Sequence, residues 1–316
     1  MKILITGGAG FIGSHLADSL VNRNNEVVII DNLSTGKLGN INQKAKLFNE
    51  DLVNHEKIKE IFEKEKPEIV YHLAANINLR KSVEDPLHDA KMNILNTLNL
   101  LEIGLKYNIK HFIFSSTGGA IYGDAKEIPT TEEYKEYPIS PYGCAKLAIE
   151  KYLNFYNKIH GLKFTSLRYS NVYGPRQNPD GEAGVISIFL DNMFSGKNPI
   201  IYGGIQTRDY VYVKDVVNAN ILVLEDGKSE IYNLGTEKET DVIEIFSKLN
   251  KYFKNRFEPK YEEIRKGEQK RSCLSYKKIK NSLNWKPQIA IDEGLDRTYC
   301  WFLKNEDVKN SHQKTL

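Results

Sequence analysis

Residues 2 to 20, "KILITGGAGFIGSHLADSL", restrict the possible folds more than any other stretch. "KILIT" is a short apolar run of strand character, Gly7, Gly10 and Gly13 follow at three-residue intervals, and Ile12, Leu16 and Leu20 behind them keep a helical period. Strand, tight turn and helix in this order begin a βα unit, and such units build parallel sheets. Glycines in the turn also let backbone N–H groups at the helix start meet a pyrophosphate without side-chain obstruction. An ordinary glycine-rich turn has the same letters, so the next strand has to discriminate.

That strand, "EVVIID" at 26 to 31, ends on Asp31, 18 residues beyond Gly13. A carboxylate there accepts hydrogen bonds from an adenosine ribose and repels a 2′-phosphate. No arginine follows in "DNLSTGK", although Lys37 is near, so NAD is favoured over NADP. Asp51, closing "KLFNED" at 46 to 51, is placed to reach the adenine amino group and reads equally well as a turn residue or helix N-cap.

Further apolar runs, "EIVYHLA" at 68 to 74, "HFIFSS" at 111 to 116 and "FTSLRY" at 164 to 169, alternate with helical patterns. Several are apolar throughout, as strands buried on both faces are. The expected fold is α/β, a doubly wound parallel sheet with helices on both sides. With 316 residues, the chain has room for a smaller α/β annexe as well. After residue 170, "SNVYGPRQNPDGEAG" reads as a loop or domain crossing. "DYVYV" at 209 to 213 and "IYNLG" at 231 to 235 are expected to return the chain to the first sheet before "DVIEIFSKLNKYF" forms another helix. The stretch 304–316, "KNEDVKNSHQKTL", lacks apolar periodicity and is expected to be a loosely ordered polar tail.

Composition excludes several functions. Lys and Arg number 44 against 41 Asp and Glu, a net charge of only +3, and the densest basic cluster, "RKGEQKR" at 265 to 271, is too short for a nucleic-acid track. Cys144, Cys273 and Cys300 form neither a CxxC pair nor an even disulfide framework, which fits free thiols in a reducing compartment. The seven histidines show no ligand spacing, so no metal site is expected. "MKILIT" enters a strand without an apolar leader and no run is long enough to span a bilayer, so the expected location is the cytoplasm.

Chemistry first shows in "SPYGCAK" at 140 to 146. On a helix Tyr142 and Lys146, four apart, share a face with Cβ atoms about 5–6 Å apart. By itself the stretch is more simply a helix start, with Ser140 as cap, Pro141 at the first position and a tyrosine that merely packs.

Eight motifs in order bear on that choice. "TGGAGFIG", "DNLSTG", "DL" at 51 to 52, "HLAA" at 72 to 75, "FSSTGGAIYGD", "SPYGCAK", "RYSNVYGPRQ" and "RDYVYVKDV" resemble the extended short-chain dehydrogenase/reductase family. Within it they are most similar to the nucleotide-sugar 4-epimerases of the UDP-glucose/UDP-galactose type. The resemblance implies NAD as cofactor, a UDP-sugar as substrate and a place in galactose metabolism. It implies that Tyr142 is the catalytic acid/base, Lys146 its partner and Thr117 the hydroxyl that binds the sugar O4, with Ser115 and Ser116 less suited. A free phenol titrates near pH 10, so a tyrosine base needs its phenolate stabilised, which Lys146 and a positive nicotinamide ring do. Tyr142 then takes the C4 hydroxyl proton as the hydride leaves C4 for NAD, and the 4-keto sugar turns over to take the hydride back on its opposite face.

Around the cofactor the resemblance places Gly7, Gly10, Phe11, Ile12, Gly13, Asp31, Asn32, Asp51, Leu52, Leu73, Ala74, Ala75, Ser115 and Tyr169, together with Tyr142 and Lys146. Around the substrate, Asn171, Arg208 and Arg265 match diphosphate-binding positions, Glu268 matches one reaching the uridine ribose, and Tyr202 an aromatic position near the uracil. Residues 1–170 with about 207–235 would then bind NAD, and 171–206 with 236–303 the nucleotide sugar.

Local departures narrow the reaction. "SSTGGAIYG" has one more residue before "YG" than some members, and Gly118 and Gly119 stand where sugar 4,6-dehydratases and UDP-glucuronate decarboxylases carry Asp-Glu or Glu. The missing acid argues for epimerisation. Ser272 matches the position beside the sugar C2 substituent, and so small a residue leaves room for an N-acetyl group. UDP-N-acetylglucosamine and UDP-N-acetylgalactosamine are therefore expected substrates beside the non-acetylated pair.

The helix 142–160 carries Ala145, Ala148, Tyr152, Phe155 and Ile159 on one stripe and Ile149, Leu153 and Tyr156 on another. Apolar over so wide an arc, it is expected at a homodimer interface, or else beneath the second domain. The rival readings are a UDP-glucuronate 4-epimerase, a decarboxylase or a 4-keto-sugar reductase of the same fold. A non-catalytic nucleotide-binding sensor or scaffold is the rival of another class, and the intact Thr117, Tyr142 and Lys146 count against it.

Overall fold

A computed structural model describes residues 1–180, 184–264 and 269–313, with side chains through residue 305. The chain opens with β1 (Lys2–Thr6), α1 (Phe11–Asn22), β2 (Glu26–Ile30), β3 (Lys46–Phe48), α2 (His55–Glu65) and β4 (Ile69–His72). Next come α3 (Leu79–Glu84), α4 (Pro86–Ala90), a π-turn (Lys91–Leu95), α5 (Asn96–Lys106), β5 (His111–Thr117), α6 (Gly118–Ile121), α7 (Pro141–His160) and β6 (Lys163–Tyr169). They are followed by β7 (Asn171–Tyr173), α8 (Val185–Phe194), β8 (Ile200–Tyr202), β9 (Thr207–Arg208), β10 (Tyr210–Tyr212), α9 (Val213–Asp226) and β11 (Glu230–Leu234). The remainder is β12 (Thr240–Asp241), α10 (Val242–Tyr252), β13 (Lys260–Glu262), β14 (Arg271–Ser272), α11 (Lys277–Leu283) and α12 (Ile291–Gln313).

The apolar runs pair as expected for strands buried on both faces. Seven of them form one sheet in the order β11-β6-β5-β4-β1-β2-β3, parallel at every pairing. One face is covered by α1, α9 and α11 through Leu16, Leu20, Val216 and Ile279, the other by α2, α5 and α7 through Phe62, Leu100 and Ile149. Ile3, Leu4 and Ile5 in β1 are wholly buried between them. Strand order reverses between β1 and β4, and a doubly wound sheet opens its ligand crevice at the carboxyl ends of the strands flanking such a reversal.

A second lobe has its own core of Phe189, Ile245, Leu249 and Leu295 from α8, α10 and α12. Short strands edge it: β10 pairs with β7, β13 with β8, and β9 lies between β12 and β14. Of the two runs expected to rejoin the first sheet, only "IYNLG" does, as β11 beside β6. "DYVYV" instead pairs as β10 with β7, because β7 leaves the main sheet directly after β6 and offers a free edge. Within the stretch assigned to the sugar lobe, Ile279 and Trp285 pack on the first lobe's core, and Trp285 Nε1 donates to Asp215 O at 3.0 Å. The supposed tail is helical to Gln313, since extending a helix that is already nucleated needs no apolar period of its own. Among the described residues no helix is long and apolar enough to cross a membrane, and no group of His, Cys, Asp or Glu is placed to hold a metal ion.

Candidate active site

At the reversal point the turns after β1 and β4 touch. Gly7 has φ +73°, and a Cβ there would stand 2.8 Å from Ala74 N. Thr6 O accepts from Leu73 N and Ala74 N at 3.1 Å each, which sets Leu73, Ala74 and the following Ala75 beside the glycine turn. A Cβ at Gly13 would overlap Gly7 O, so α1 lies close against that turn. Gly10, the N-cap of α1, makes no side-chain cap bond, and no acidic residue follows in the first turn. The helix therefore opens at Phe11 and Ile12 with N–H groups available to an anion.

Asp31 is buried at the end of β2, its Oδ2 accepting from Ala9 N and its Oδ1 from Leu33 N, both at 2.9 Å. Lys37 is exposed. Asn32 Nδ2 donates to Asp51 Oδ2 at 2.7 Å, and Asp51 Oδ1 accepts from Val53 N at 3.0 Å, so Asp51 makes a turn. Leu52 packs on the core behind it. An uncapped helix start with a fixed carboxylate beyond it suits a dinucleotide.

The start of α7 is fixed by Ser140, whose Oγ accepts from Gly143 N at 3.2 Å, and by Pro141 in the first turn. Gly143 sits against Ala120 O of α6, where a Cβ would come within 2.7 Å. Lys146 is buried and its Nζ donates to Ser115 O at 2.7 Å, lying 4.6 Å from the Phe114 ring centre and 5.7 Å from that of Tyr142. These contacts bring Tyr142 and Lys146 to the end of β5, where Ser115 and Thr117 share a side of the strand and Ser116 takes the other. Tyr169 pairs in register with Thr117, and its buried hydroxyl accepts from Asn220 Nδ2 at 3.0 Å.

Burial sets the titration of this cluster. It pushes Lys146 down to about 7 against the opposing pull of Asp89 and Glu150. Tyr142 is pushed up, by burial first and by the Asp89 carboxylate second, and Tyr169 up to about 12 by burial. Three further buried polar residues, His72, Asp89 and Asn93, are not among the candidates above. Asn93 Nδ2 donates to Asp89 Oδ1 and to Asn76 O, each at 2.9 Å, while its Oδ1 accepts from Asn76 N at 2.8 Å. An Asp and an Asn four apart within a helical stretch was the available signal.

In the second lobe, β9 sets Arg208 in register with Ser272 of β14 and Thr240 of β12, and Asn171 N donates to Asp209 O at 2.9 Å. Ser272 is buried. Tyr202 closes β8, its phenol raised by burial and by Glu262 while Arg80 of α3 acts in the opposite sense. Arg265 and Glu268 lie outside the described residues. Gly118 has a physical reason to be glycine, because a Cβ there would overlap the Leu274 side chain, whereas at Gly119 the nearest atom would be Thr117 Oγ1 at 3.9 Å. The Gln269 amide donates to Gly123 O and ties the second lobe to the loop after α6.

Known proteins resemble this chain in sequence and fold. The NAD dependent epimerase/dehydratase family model matches residues 3–235. A UDP-glucose 4-epimerase of Thermotoga maritima, solved with UDP-glucose, is 48% identical, with 96% of this chain and 99% of that one covered and a TM-score of 0.94. A UDP-glucose 4-epimerase of Thermus thermophilus in complex with NAD is 39% identical, with coverage of 96% and 99% and a TM-score of 0.91. A UDP-N-acetylglucosamine 4-epimerase from Methanobrevibacter ruminantium, in complex with UDP-N-acetylmuramic acid, is 35% identical, with coverage of 96% and 98% and a TM-score of 0.90. The glycine turn, the end of β5 and the start of α7 all fall inside the matched span, and the likeness extends through the second lobe: the chain belongs to the NAD dependent epimerase/dehydratase family.

Proposed function

We propose that this chain is an NAD-dependent 4-epimerase of UDP-hexoses, working on the UDP-glucose/UDP-galactose pair and on the UDP-N-acetylglucosamine/UDP-N-acetylgalactosamine pair. The observation that carries the reading is the junction of α7 with the end of β5, where Lys146 binds Ser115 O beside Tyr142 and Thr117. When bound, NAD supplies a hydride acceptor that returns what it takes, and a positive ring beside the phenol. Tyr142 Oη takes the proton from the C4 hydroxyl and gives it back after the sugar has turned. Thr117 Oγ1 orients O4, and the Lys146 ammonium offsets the burial that disfavours the phenolate.

The two lobes divide the binding. In the first, the glycine turn with Phe11 and Ile12 holds the pyrophosphate and Asp31 with Asn32 the adenosine ribose. Asp51 and Leu52 flank the adenine, and Leu73, Ala74, Ala75, Ser115 and Tyr169 surround the rest of the cofactor. In the second, we assign Asn171 and Arg208 to the diphosphate, Tyr202 to the uracil and Ser272 to the space for a C2 acetamido group, while for Arg265 (diphosphate) and Glu268 (ribose), outside the described residues, the resemblance alone supports the assignment.

We assign the interface of a homodimer to α7, where Tyr152, Phe155 and Ile159 are 43%, 47% and 66% exposed while Ile149, Leu153 and Tyr156 fill the core. The free thiols of Cys144, Cys273 and Cys300 support a cytoplasmic location, and the reaction belongs to galactose metabolism. To test the reading, the purified protein is incubated with UDP-glucose or UDP-N-acetylglucosamine and the anomeric protons are followed by NMR. Galacto-configured signals in both tubes support it. Conversion of UDP-glucose alone removes the Ser272 argument, and no conversion in either tube with NAD added refutes the activity.

A further inference from the structure

A buried ammonium stays charged only with a counter-charge nearby, and two carboxylates act on Lys146: Asp89 and Glu150. Glu150 is committed elsewhere. Its Oε1 accepts from Arg168 Nε at 3.1 Å and from Ser166 Oγ at 2.8 Å, and its Oε2 from Arg168 Nη2 at 2.6 Å. The same guanidinium also donates to Glu136 Oε1 at 2.8 Å, so Glu150 is shared in a network with Arg168, and of the two carboxylates Asp89 acts more strongly on Lys146. Asp89 is 1% exposed on α4, which packs against α7. Its Oδ1 accepts from Asn93 Nδ2, its Oδ2 is buried without a hydrogen-bond partner, and among the described residues no ion pair holds it.

The other titratable and charged groups around the pair leave this role to Asp89. His72 of β4 is neutral, because burial pushes it down to about 3. His88 on α4, Arg80, Lys81 and Glu84 on α3, and Lys91 on the π-turn all lie on the exposed surface. Tyr142 on α7 is the proton-transfer group itself.

We propose that Asp89 is a positioning residue for Tyr142 and Lys146: its carboxylate keeps Lys146 in the ammonium form and so fixes the pH range over which the two work together. This rests on the roles given to Tyr142 and Lys146 above. The same negative charge opposes the Tyr142 phenolate, so its removal moves both groups in one direction, toward lower pH.

Asp89→Asn keeps an acceptor for Asn93 while removing the charge, and Asp89→Glu restores the charge. Turnover of UDP-glucose by the full-length holoenzyme is measured against pH for wild type and both variants. The Asp89→Asn profile should lie about one pH unit lower, with Asp89→Glu returning toward wild type. Superimposed profiles, or displacement to higher pH, overturn the proposal. Separately, the ammonium signal of Lys146 in ¹⁵N-lysine-labelled protein, assigned by its loss in Lys146→Met, is titrated. Its midpoint should fall in Asp89→Asn, and an unchanged midpoint overturns the proposal whether or not the protein turns over a UDP-sugar. Absence of turnover in the wild type counts against the epimerase reading alone.

Discussion

Tyr142 carries the proposed chemistry at the scale of single residues. Replacing it by Phe keeps the ring and its packing while removing the hydroxyl. Turnover should fall by at least about 10²-fold, with bound NAD retained in extracts of the purified variant. Unchanged turnover would exclude Tyr142 as the base. Gly118 offers an independent check on the neighbouring loop. A side chain there meets Leu274, so Gly118→Asp should destabilise by about 1–3 kcal/mol in denaturant melts, and the same change should cost less when made in a Leu274→Ala background. Tyr142 and Lys146 stand four apart on one helix, a spacing that places them together, but only the resemblance across eight motifs points to a role for them. Asp89 and His72 were not legible in the sequence, because their importance comes from burial against other elements, which no local spacing encodes.

At the scale of elements, the glycine turn and α7 make separate predictions. Gly7→Ala puts a Cβ on a left-handed residue and against Ala74 N, so it should cost about 1–3 kcal/mol and weaken NAD binding measured by calorimetry. Normal affinity would detach this turn from the cofactor. On α7, Ile159→Glu combined with Phe155→Lys charges the exposed stripe and leaves the core stripe intact. Light scattering should show the wild type as a dimer and this variant as a monomer, and a dimer that survives both changes would move the interface elsewhere. Most strand positions could be read from the sequence because continuous apolar runs mark strands buried on both faces. The partner of "DYVYV" could not, since a three-residue strand carries too little pattern to specify which edge it joins. The packing of α11 and Trp285 on the first lobe was hidden for a similar reason: chain order suggests a lobe, and contacts decide it.

The whole molecule responds to pH through histidines held neutral by the sheet. His72 lies between Thr6 Oγ1 at 2.7 Å and Thr97 Oγ1 at 2.8 Å, and His111 contacts Thr165 Oγ1 at 2.9 Å. Burial lowers them to about 3 and about 4 from an ordinary 6.5. Below pH 6.5 the unfolded chain therefore takes up protons that the native protein refuses, so stability falls as the medium is acidified from 6.5 toward 4. Melting temperatures across that window should drop less steeply in a His72→Gln, His111→Gln variant than in the wild type, and equal slopes would contradict the assignment. The two-lobed plan itself was visible as a break in pattern after residue 170, while the closeness of Ser272 to Arg208 depends on strand pairing across the second lobe. The central claim is that C4 is oxidised and then reduced again within one binding event, with Tyr142 holding the proton meanwhile. UDP-glucose deuterated at C4 tests it most directly, incubated in ordinary water with the purified protein and with unlabelled NADH added in excess. The account predicts UDP-galactose with its deuterium still at C4; loss of the label to water or to the added dinucleotide would contradict it.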